Sequence, residues 1–399
     1  MRLHLGISLM IGFCISFIAS GKAYAASFDF TQIAQTSSPF ASSVINNAGT
    51  VAFSGTLDTG IEGIFTSNGT TITTIASIGD TFSNFNGFSI NDSGTVAFAA
   101  QLNDGGFVTI PDTEIVIVPG NGIFTSNGIT TTAVATIPRM GAPRGFGIFL
   151  FSPSINNAGT VVFNQFERPV TIVRTSDGRT LQNRGFPRSE QPLINDVGTI
   201  AYIDNLSSIT INDGTTDTTL ASLPDSMDGE FSIGEFSFNN QGIAAFSTLA
   251  FGNNGFPFGN RVLTSNGTNE TTIADTNGSF SDLLFPAIND QGTVAFLAEL
   301  DGGGEGIFTG NDLLNDRVIA TGDQLLGSTV TNIGFSVSGL NNSGQIAFFA
   351  TLANGISGIF RADPQLTQPQ PVPEANHTLA ILAFGALAAS SASKRMIIK

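Results

Sequence analysis

One short phrase recurs seven times along this chain and constrains its fold more than any other feature. Each copy reads as an apolar residue, then Asn-x-x-Gly, then a short apolar stretch that ends in an aromatic residue. The motif asparagines are Asn46, Asn91, Asn156, Asn195, Asn239, Asn289 and Asn341. Spacings of 39 to 65 residues, mostly near 45, are typical of a propeller or solenoid, because a single repeat cannot bury its own apolar face.

Each repeat contains four strand-like pieces. The first is a short apolar run before the motif, such as Phe88 to Ile90, and the second follows the motif turn, such as Thr95 to Leu102. A third piece, such as Glu62 to Thr66, leads through a tight turn to a fourth, such as Thr73 to Ala76. Four antiparallel strands with short turns make a propeller blade. The sequence therefore predicts an all-β, seven-bladed β-propeller of four-stranded antiparallel blades.

The two ends of the repeat region predict how the ring closes. The last repeat has three predicted strands, Val337 to Leu340, Gln345 to Leu352 and Gly358 to Arg361, and a Pro-rich stretch replaces its fourth. Phe28 to Ala34, ahead of the first repeat, has the pattern of a fourth strand. We expect this N-terminal strand to complete the last blade and leave no open sheet edge. A straight solenoid, the alternative, would carry polar caps at both ends.

Two recurring residue types have structural interpretations. The aromatic residue that ends the motif predicts a packing layer between blades. Its copies are Phe53, Phe98, Phe163, Tyr202, Phe246, Phe296 and Phe348. The Asn-x-x-Gly segment could bind a metal or a carbohydrate, but its presence in every repeat favours a turn-forming role.

The repeat region as a whole resembles the choice-of-anchor tandem-repeat proteins, which are defined by the pattern N-x-x-G-x-x-A-F. The resemblance covers most of the chain after its first residues. It implies an exported protein that is tethered by a C-terminal signal, and it implies no catalytic role.

Residues 1–25 have the features of a secretory signal peptide. Arg2 is followed by an apolar run from Leu5 to Ile18, and Ala23 to Ala25 fits a cleavage site for signal peptidase. A retained membrane anchor is the alternative, but the run is shorter than the ~20 residues that a spanning helix needs. The sequence thus predicts an exported β-propeller domain over residues 26–363.

A Pro/Gln-rich linker, residues 364–373, precedes a tail, residues 374–399. Pro373 and Glu374 come before an apolar run from Thr378 to Ala392, which Lys394 and Arg395 follow. This order resembles a PEP-CTERM sorting signal, although Ala375 stands where that family has a second proline. The resemblance implies an exosortase-type transpeptidase as partner, transient membrane association through the tail, and an extracellular or cell-surface location. A plain tail anchor is the alternative.

Composition excludes several kinds of chemistry. Between Ala26 and Pro371 the chain has no Cys, His or Lys, so Ser-His or Cys-His catalysis and imidazole or thiolate metal sites lack their residues. The same stretch holds 30 Asp and Glu against 10 Arg, which argues against nucleic acid as a partner. Paired carboxylates remain available, so a carbohydrate-active enzyme, a glycoside hydrolase or lyase, stays the alternative to a non-enzymatic role.

Calcium is the one cofactor for which the sequence offers ligands. Oxygen ligands in Gly-rich turns suit this hard cation, although the turns themselves also account for such residues. The candidates follow the second strands of their repeats and are Asp58, Asp104, Asp301 and Glu305.

Arginine is concentrated in one segment. Seven of the ten Arg of the repeat region lie between residues 139 and 188, a segment with only two acids. Five of them are predicted in loops on one face of the propeller, namely Arg139, Arg144, Arg168, Arg184 and Arg188. Guanidinium groups bind carboxylate or sulfate in a bidentate manner, so these Arg could bind an anionic polysaccharide. Pairing with acids of neighbouring blades is the other interpretation.

Together these features predict an exported, surface-associated, non-enzymatic protein that binds or scaffolds polysaccharide or another surface protein in the extracellular matrix.

Overall fold

The computed structural model describes most of the repeat region. The described residues are 27–38, 41–103, 108–109, 115–118, 120–138, 140–143, 148–167, 170–182, 192–204, 206–223, 230–251 and 257–365. The chain divides into two compact units, Met1–Pro364 and Gln365–Lys399, and only Gln365 of the second is described. The predicted signal peptide and the sorting residues Pro373, Glu374, Lys394 and Arg395 lie outside the described residues.

Every regular element among the described residues is a β-strand. The described residues contain no helix that is long and apolar enough to span a bilayer. Strand β1 is Phe28–Gln35. Blade 1 consists of β2 (Ser43–Ile45), β3 (Val51–Thr56), β4 (Glu62–Ser67) and β5 (Ile72–Ser77). The next repeat contains β6 (Phe82–Ile90), β7 (Val96–Leu102), β8 (Val108–Thr109), β9 (Ile115–Val118), β10 (Asn121–Ser126), β11 (Thr131–Ile137) and β12 (Met140–Pro143). Of these, β6, β7, β10 and β11 form blade 2.

Blades 3 to 6 have four strands each. Blade 3 consists of β13 (Ile148–Ile155), β14 (Val161–Glu167), β15 (Val170–Thr175) and β16 (Thr180–Gln182). Blade 4 consists of β17 (Leu193–Ile194), β18 (Ile200–Asp204), β19 (Ser208–Asn212) and β20 (Asp217–Ser222). Blade 5 consists of β21 (Glu230–Phe238), β22 (Ala244–Phe251), β23 (Pro257–Ser265) and β24 (Glu270–Asp275). Blade 6 consists of β25 (Phe280–Ile288), β26 (Val294–Leu300), β27 (Glu305–Phe308) and β28 (Arg317–Ala320).

Blade 7 joins the two ends of the repeat region. Its last repeat supplies β29 (Gln324–Leu325), β30 (Ser328–Gly334), β31 (Ile346–Leu352) and β32 (Ser357–Pro364). Strand β1 pairs antiparallel with β32, with Phe28 opposite Pro364 and Gln35 opposite Gly358. The predicted closure by the N-terminal strand is confirmed.

The inner strand of blade 7 differs from the prediction. It is β30, whereas the predicted strand Val337 to Leu340 contributes only an isolated bridge between Leu340 and Ile346. The reason is a turn ahead of the motif, in which the Gly339 amide donates to the Ser336 carbonyl. This turn ends the regular pairing and leaves a single residue pair beside the motif.

The motif segments form the tight turns that the sequence predicts. In blade 2 the Gly94 amide donates to the Asn91 carbonyl, and the Asn91 amide donates to the Thr95 carbonyl. Gly94 has a φ of 81°, in the left-handed region that favours glycine. The other motif glycines share this conformation, so the pattern is common to all seven blades.

Apolar packing lies between neighbouring blades. Among the residues that the structure describes, the buried ones form seven clusters, and each cluster joins two adjacent blades. One of them closes the ring, because Ile33 and Phe349 of blade 7 pack with Val51 and Phe53 of blade 1. All seven aromatic residues at the motif end are buried, which confirms the predicted packing layer.

The repeat that contains β6 to β12 carries an additional small sheet that was not predicted from the sequence. Strands β8, β9 and β12 form a separate three-stranded sheet, in which Met140 lies opposite Val118. Strand β9 belongs to the connection between the second and third strands of blade 2, and β12 belongs to the connection that leads to blade 3. These two kinds of connection therefore share one face, here called the loop face. The motif turns lie on the opposite face, here called the turn face.

Candidate functional site

The motif asparagines form a closed ring on the turn face, here called the asparagine ring. Each Asn side chain donates its Nδ2 hydrogen to the backbone carbonyl of the motif Asn in the next blade, at 2.9 to 3.3 Å. The last bond joins Asn341 to the Asn46 carbonyl at 2.9 Å and closes the ring. Each Oδ1 accepts the backbone amide four residues later in its own turn. One side-chain amide thus fixes a turn and links two blades.

The residues that follow the motif asparagines form a second ring, in which Asn and Asp alternate. We call it the amide–carboxylate ring, and its members are Asn47, Asp92, Asn157, Asp196, Asn240, Asp290 and Asn342. Each backbone amide donates to the Oδ1 atom of the next member, at 2.8 to 2.9 Å. The Oδ2 atom of Asp196 also accepts from Asn157 at 2.9 Å and from Asn240 at 3.0 Å.

Seven members cannot alternate perfectly, so one junction must join two residues of the same type. This junction lies between Asn342 and Asn47, where blade 7 meets blade 1. This ring was not predicted, although the alternation of Asn and Asp is visible in the motif copies. The two rings and the inner strands surround a cavity of about 190 Å³, and their mutual hydrogen bonds indicate a structural role for this end of the channel.

A larger cavity, of about 830 Å³, lies on the channel side of blades 5, 6, 7 and 1, here called the loop-face cavity. The residues that line it include Ser42, Glu235, Phe285, Glu305, Asn332, Phe335 and Val337. They combine carboxylates, polar side chains and phenyl rings. A volume of ~300–1,000 Å³ is usual for small-ligand sites.

Bulges recur in the inner strands, and those of blades 5 and 6 each place a side chain at this cavity. A register shift occurs shortly before the motif in each of β6, β13, β21 and β25. In every case the shifted segment contains the residue four positions before the motif Asn. Phe285 occupies that position in blade 6 and has a φ of 52°, which is costly for a residue with a side chain. Glu235 occupies the same position in blade 5. Bulges redirect side chains, and both residues line the cavity.

Hydrogen bonds hold one carboxylate of the cavity lining, that of Glu305, in a fixed position. The Oε1 atom of Glu305 accepts hydrogen bonds from the Ile333 amide at 2.7 Å and from the Asn332 side chain at 3.0 Å. These bonds tie blade 6 to blade 7 and set the position of the carboxylate. Glu305 was predicted as a calcium candidate. Glu235 was not predicted as a site residue, because a bulge interrupts the strand pattern around it.

A half-buried carboxyl group, that of Asp282, interacts with Glu235 of the cavity lining. Asp282 accepts hydrogen bonds from the amides of Gly259, at 2.6 Å, and Leu283, at 2.8 Å. Burial raises the pKa of Asp282 above its ordinary value, and the negative charges of Glu299 and Glu235 raise it further. Blades 5 and 6 therefore concentrate negative charge beside the loop-face cavity.

The other predicted calcium ligands are not brought to one place. Asp58 lies in an exposed turn of blade 1 and Asp301 in an exposed turn of blade 6, while Asp104 is outside the described residues. In the described ranges, no three acidic, His or Cys side chains are arranged to hold a metal ion. Calcium binding stays a prediction.

The five predicted ligand-binding arginines are also outside the described residues. They are Arg139, Arg144, Arg168, Arg184 and Arg188. The first two flank β12, whose backbone lies on the loop face. Anion binding by these residues stays a prediction.

Closed four-stranded blades around a central channel define a seven-bladed β-propeller. The chain belongs to the family of unknown function DUF7453, whose model matches residues 18–371. A comparison with curated proteins finds no match.

Solved propeller structures resemble the chain at low identity. An oligogalacturonate lyase in complex with manganese is 12% identical, with a TM-score of 0.47, over 86% of this chain and 99% of that one. Virginiamycin B lyase from Staphylococcus aureus is 13% identical, with a TM-score of 0.45, over 85% of this chain and 100% of that one. A gluconolactonase from Xanthomonas campestris is 12% identical, with a TM-score of 0.34, over 86% and 98%. These activities belong to those proteins.

Proposed function

We propose that this protein is an exported, surface-associated binding or scaffold protein of the extracellular matrix, without enzymatic activity, which holds polysaccharide on its loop face. The observation that carries the proposal is the loop-face cavity of about 830 Å³, where carboxylates and phenyl rings line one space. Polar groups of this kind accept hydrogen bonds from sugar hydroxyls, and aromatic rings pack against the apolar faces of sugar rings. Such a lining suits a saccharide better than it suits a purely apolar ligand.

The scaffold around the cavity favours binding because its groups are already in position. The hydrogen bonds of Glu305 reach across to blade 7, and the asparagine ring links every blade to the next. A site held in this way loses little conformational freedom when a ligand binds. Rigid positioning therefore supports affinity without a conformational change of the protein.

The arginine segment extends the proposal to anionic polysaccharide. We propose that Arg139, Arg144, Arg168, Arg184 and Arg188 contact acidic groups of the ligand on the same face. Support comes from the pairing of β12, which Arg139 and Arg144 flank, with β9 on that face. One side of the loop face would then be basic, at blades 2 to 4, and the other acidic, at blades 5 and 6.

Export and sorting complete the proposal. The signal-like start and the PEP-CTERM-like tail support passage through signal peptidase and then an exosortase-type transpeptidase. The tail would hold the chain at the membrane until it is processed, and the propeller would act outside the cell. Calcium, if bound at Asp58, Asp104, Asp301 or Glu305, would stabilise turns rather than take part in chemistry.

A carbohydrate-active enzyme is the second candidate, and one observation favours it. Burial, together with the nearby Glu299 and Glu235, raises the pKa of Asp282, which is the direction of shift that the general acid of a glycosidase needs. Incubation of the protein with bound polysaccharide decides between the candidates. New polysaccharide chain ends that the parent protein produces and the Asp282→Asn variant does not would establish the enzyme. Intact polysaccharide would support the binding protein.

The binding proposal is tested with a glycan array and a matched pair of variants. Ser42→Trp places a bulky ring at the lining of the loop-face cavity, whereas Ile129→Trp places the same ring on the turn face, at a residue that is 90% exposed. We expect glycan binding by the parent and by Ile129→Trp, and a loss of at least about tenfold in affinity for Ser42→Trp. Equal binding by the two variants would show that the glycan binds outside the loop-face cavity.

A further inference from the structure

The charge of the loop-face cavity points to the chemistry of its ligand. Glu235 and Glu305 line it, and none of the described residues that line it is basic. Two carboxylates that line one concave space, with no basic side chain among the described lining residues, give that space a negative potential. The cavity therefore favours a ligand that brings a positive charge.

The aromatic lining has the same preference. Phe285 and Phe335 line the cavity together with the two carboxylates. The face of a phenyl ring carries partial negative charge and attracts an ammonium group that lies within ~6 Å of its centre. Carboxylates and phenyl rings in one space are the combination that selects an ammonium group over a neutral group of similar size.

The Glu305 carboxylate is ready to bind such a group. Both of its donors, the Ile333 amide and the Asn332 side chain, bind Oε1. An ionised carboxylate has acceptor capacity on each oxygen, so Oε2 can take a hydrogen bond from a ligand. A hydrogen bond between an ammonium and a carboxylate is roughly twice as strong as one between neutral groups.

We propose that the loop-face cavity binds the ammonium group of a cationic amino sugar within a polysaccharide. This inference rests on the proposed function, because it assumes that the ligand of the loop face is a glycan. The volume of about 830 Å³ accommodates sugar rings as well as the ammonium group. The phenyl rings then pack against the C–H faces of those rings, which a lysine side chain does not offer.

The test compares trisaccharides that differ in charge. Isothermal titration calorimetry of the full chain uses a glucosamine trimer, the N-acetylglucosamine trimer of the same linkage, a galacturonic acid trimer and a trilysine peptide. We expect the glucosamine trimer to bind about tenfold more tightly than its N-acetylated counterpart, because acetylation removes the charge. The trilysine peptide should bind more weakly than the glucosamine trimer.

Variants locate the effect. Glu305→Gln and Glu235→Gln should each weaken binding of the glucosamine trimer by about tenfold, while Glu270→Gln, which removes an exposed charge outside the cavity, should not. Phe285→Leu keeps an apolar side chain at a partly exposed position of the lining but removes the ring, and it should weaken binding severalfold. This variant retains a readout if loss of the Glu305 hydrogen bonds prevents folding.

The outcomes separate this inference from the proposed function. Equal affinity for the amine and its acetylated form would overturn the ammonium site and leave polysaccharide binding in place. Preference for the galacturonic acid trimer would do the same and would favour the arginine segment. If trilysine binds as tightly as the glucosamine trimer does, the proposal that an amino sugar supplies the positive charge is overturned. No binding of any glycan, here and on the array, would overturn the proposed function itself.

Discussion

At the scale of single residues, the motif asparagine explains why the repeat has its form. Its amide group supplies a donor and an acceptor on one short side chain, and the asparagine ring uses both in every blade. Aspartate would lack the donor, and serine would be too short to reach the next blade. All seven side chains are buried, so a lost partner would leave a polar group without water.

A substitution in the ring tests this interpretation. Asn239→Ala removes the bond to the Asn289 carbonyl, at 2.9 Å, and the acceptor for the Ile243 amide, at 2.9 Å. We expect the free energy of unfolding to fall by about 1–3 kcal/mol, because buried groups lose their partners. Gln241→Ala changes an exposed side chain of the same turn and should stay within about 0.5 kcal/mol of the parent. Urea unfolding measures both, and equal stabilities would contradict a role for the ring.

Tyr202 gives a prediction on alkaline pH. Burial, with contributions from Asp217 and Asp204, raises the pKa of Tyr202 from 10.0 to about 12. Between these values an unfolded chain loses the phenolic proton and the folded protein keeps it. Stability is therefore unaffected below about pH 10 and falls as pH rises toward 12, by up to about 1.4 kcal/mol per pH unit. No other Tyr and no Lys or Cys occurs between Ala26 and Pro371, so this dependence should be isolated.

Urea unfolding across this range checks the prediction. Tyr202→Phe keeps the ring and removes the ionisable group, so we expect its stability to change much less above about pH 10. In a protein that begins at Ala26 and so lacks Tyr24, the absorbance of ionised tyrosine in the folded state should likewise rise only near pH 12. A parent and a variant with the same pH dependence would show that Tyr202 ionises normally in the folded protein.

At the scale of strands, local pattern predicted the regular parts and missed the irregular ones. The motif hairpins were predictable because turn residues and alternating apolar residues act over a few positions, as at Gly94 and β7. Closure by β1 was predictable from a missing strand at one end and an extra one at the other. Strand β30 was not, because the turn at Ser336 breaks the pattern next to the motif.

The candidate site was less predictable than the fold for a related reason. Glu235 and Phe285 lie on bulges, where one extra residue shifts the side chains that follow to the other face. Alternation in the sequence therefore does not say which of them face the channel. The amide–carboxylate ring, in contrast, is visible in the sequence, because Asn and Asp alternate in the motif copies. Its recognition required only the geometry of the closed ring, which places each motif beside the next.

At the scale of the whole molecule, closure organises both faces. Blade 7 meets blade 1 through a buried cluster, through the asparagine ring, and through Arg361, whose Nη1 donates to the Gly49 carbonyl at 2.8 Å. Arg361 also pairs with Asp363 of its own strand at 2.8 Å. The loop-face cavity spans this junction, because blades 7 and 1 both line it. An open array would separate Ser42 from Val337 and remove the site.

Hydrogen exchange of β1 in the intact protein tests closure most directly. In a closed ring β1 is the outer strand of blade 7, and Ile33 is buried at 3% exposure, so its paired amides should be protected to an extent similar to those of β31. The first and last blades of an open array fray independently, which would let the N-terminal segment exchange freely. Protection of residues 28–35 that disappears only with global unfolding is the result we predict. Exchange of these amides at the rate of an unstructured peptide would contradict the closed seven-bladed ring.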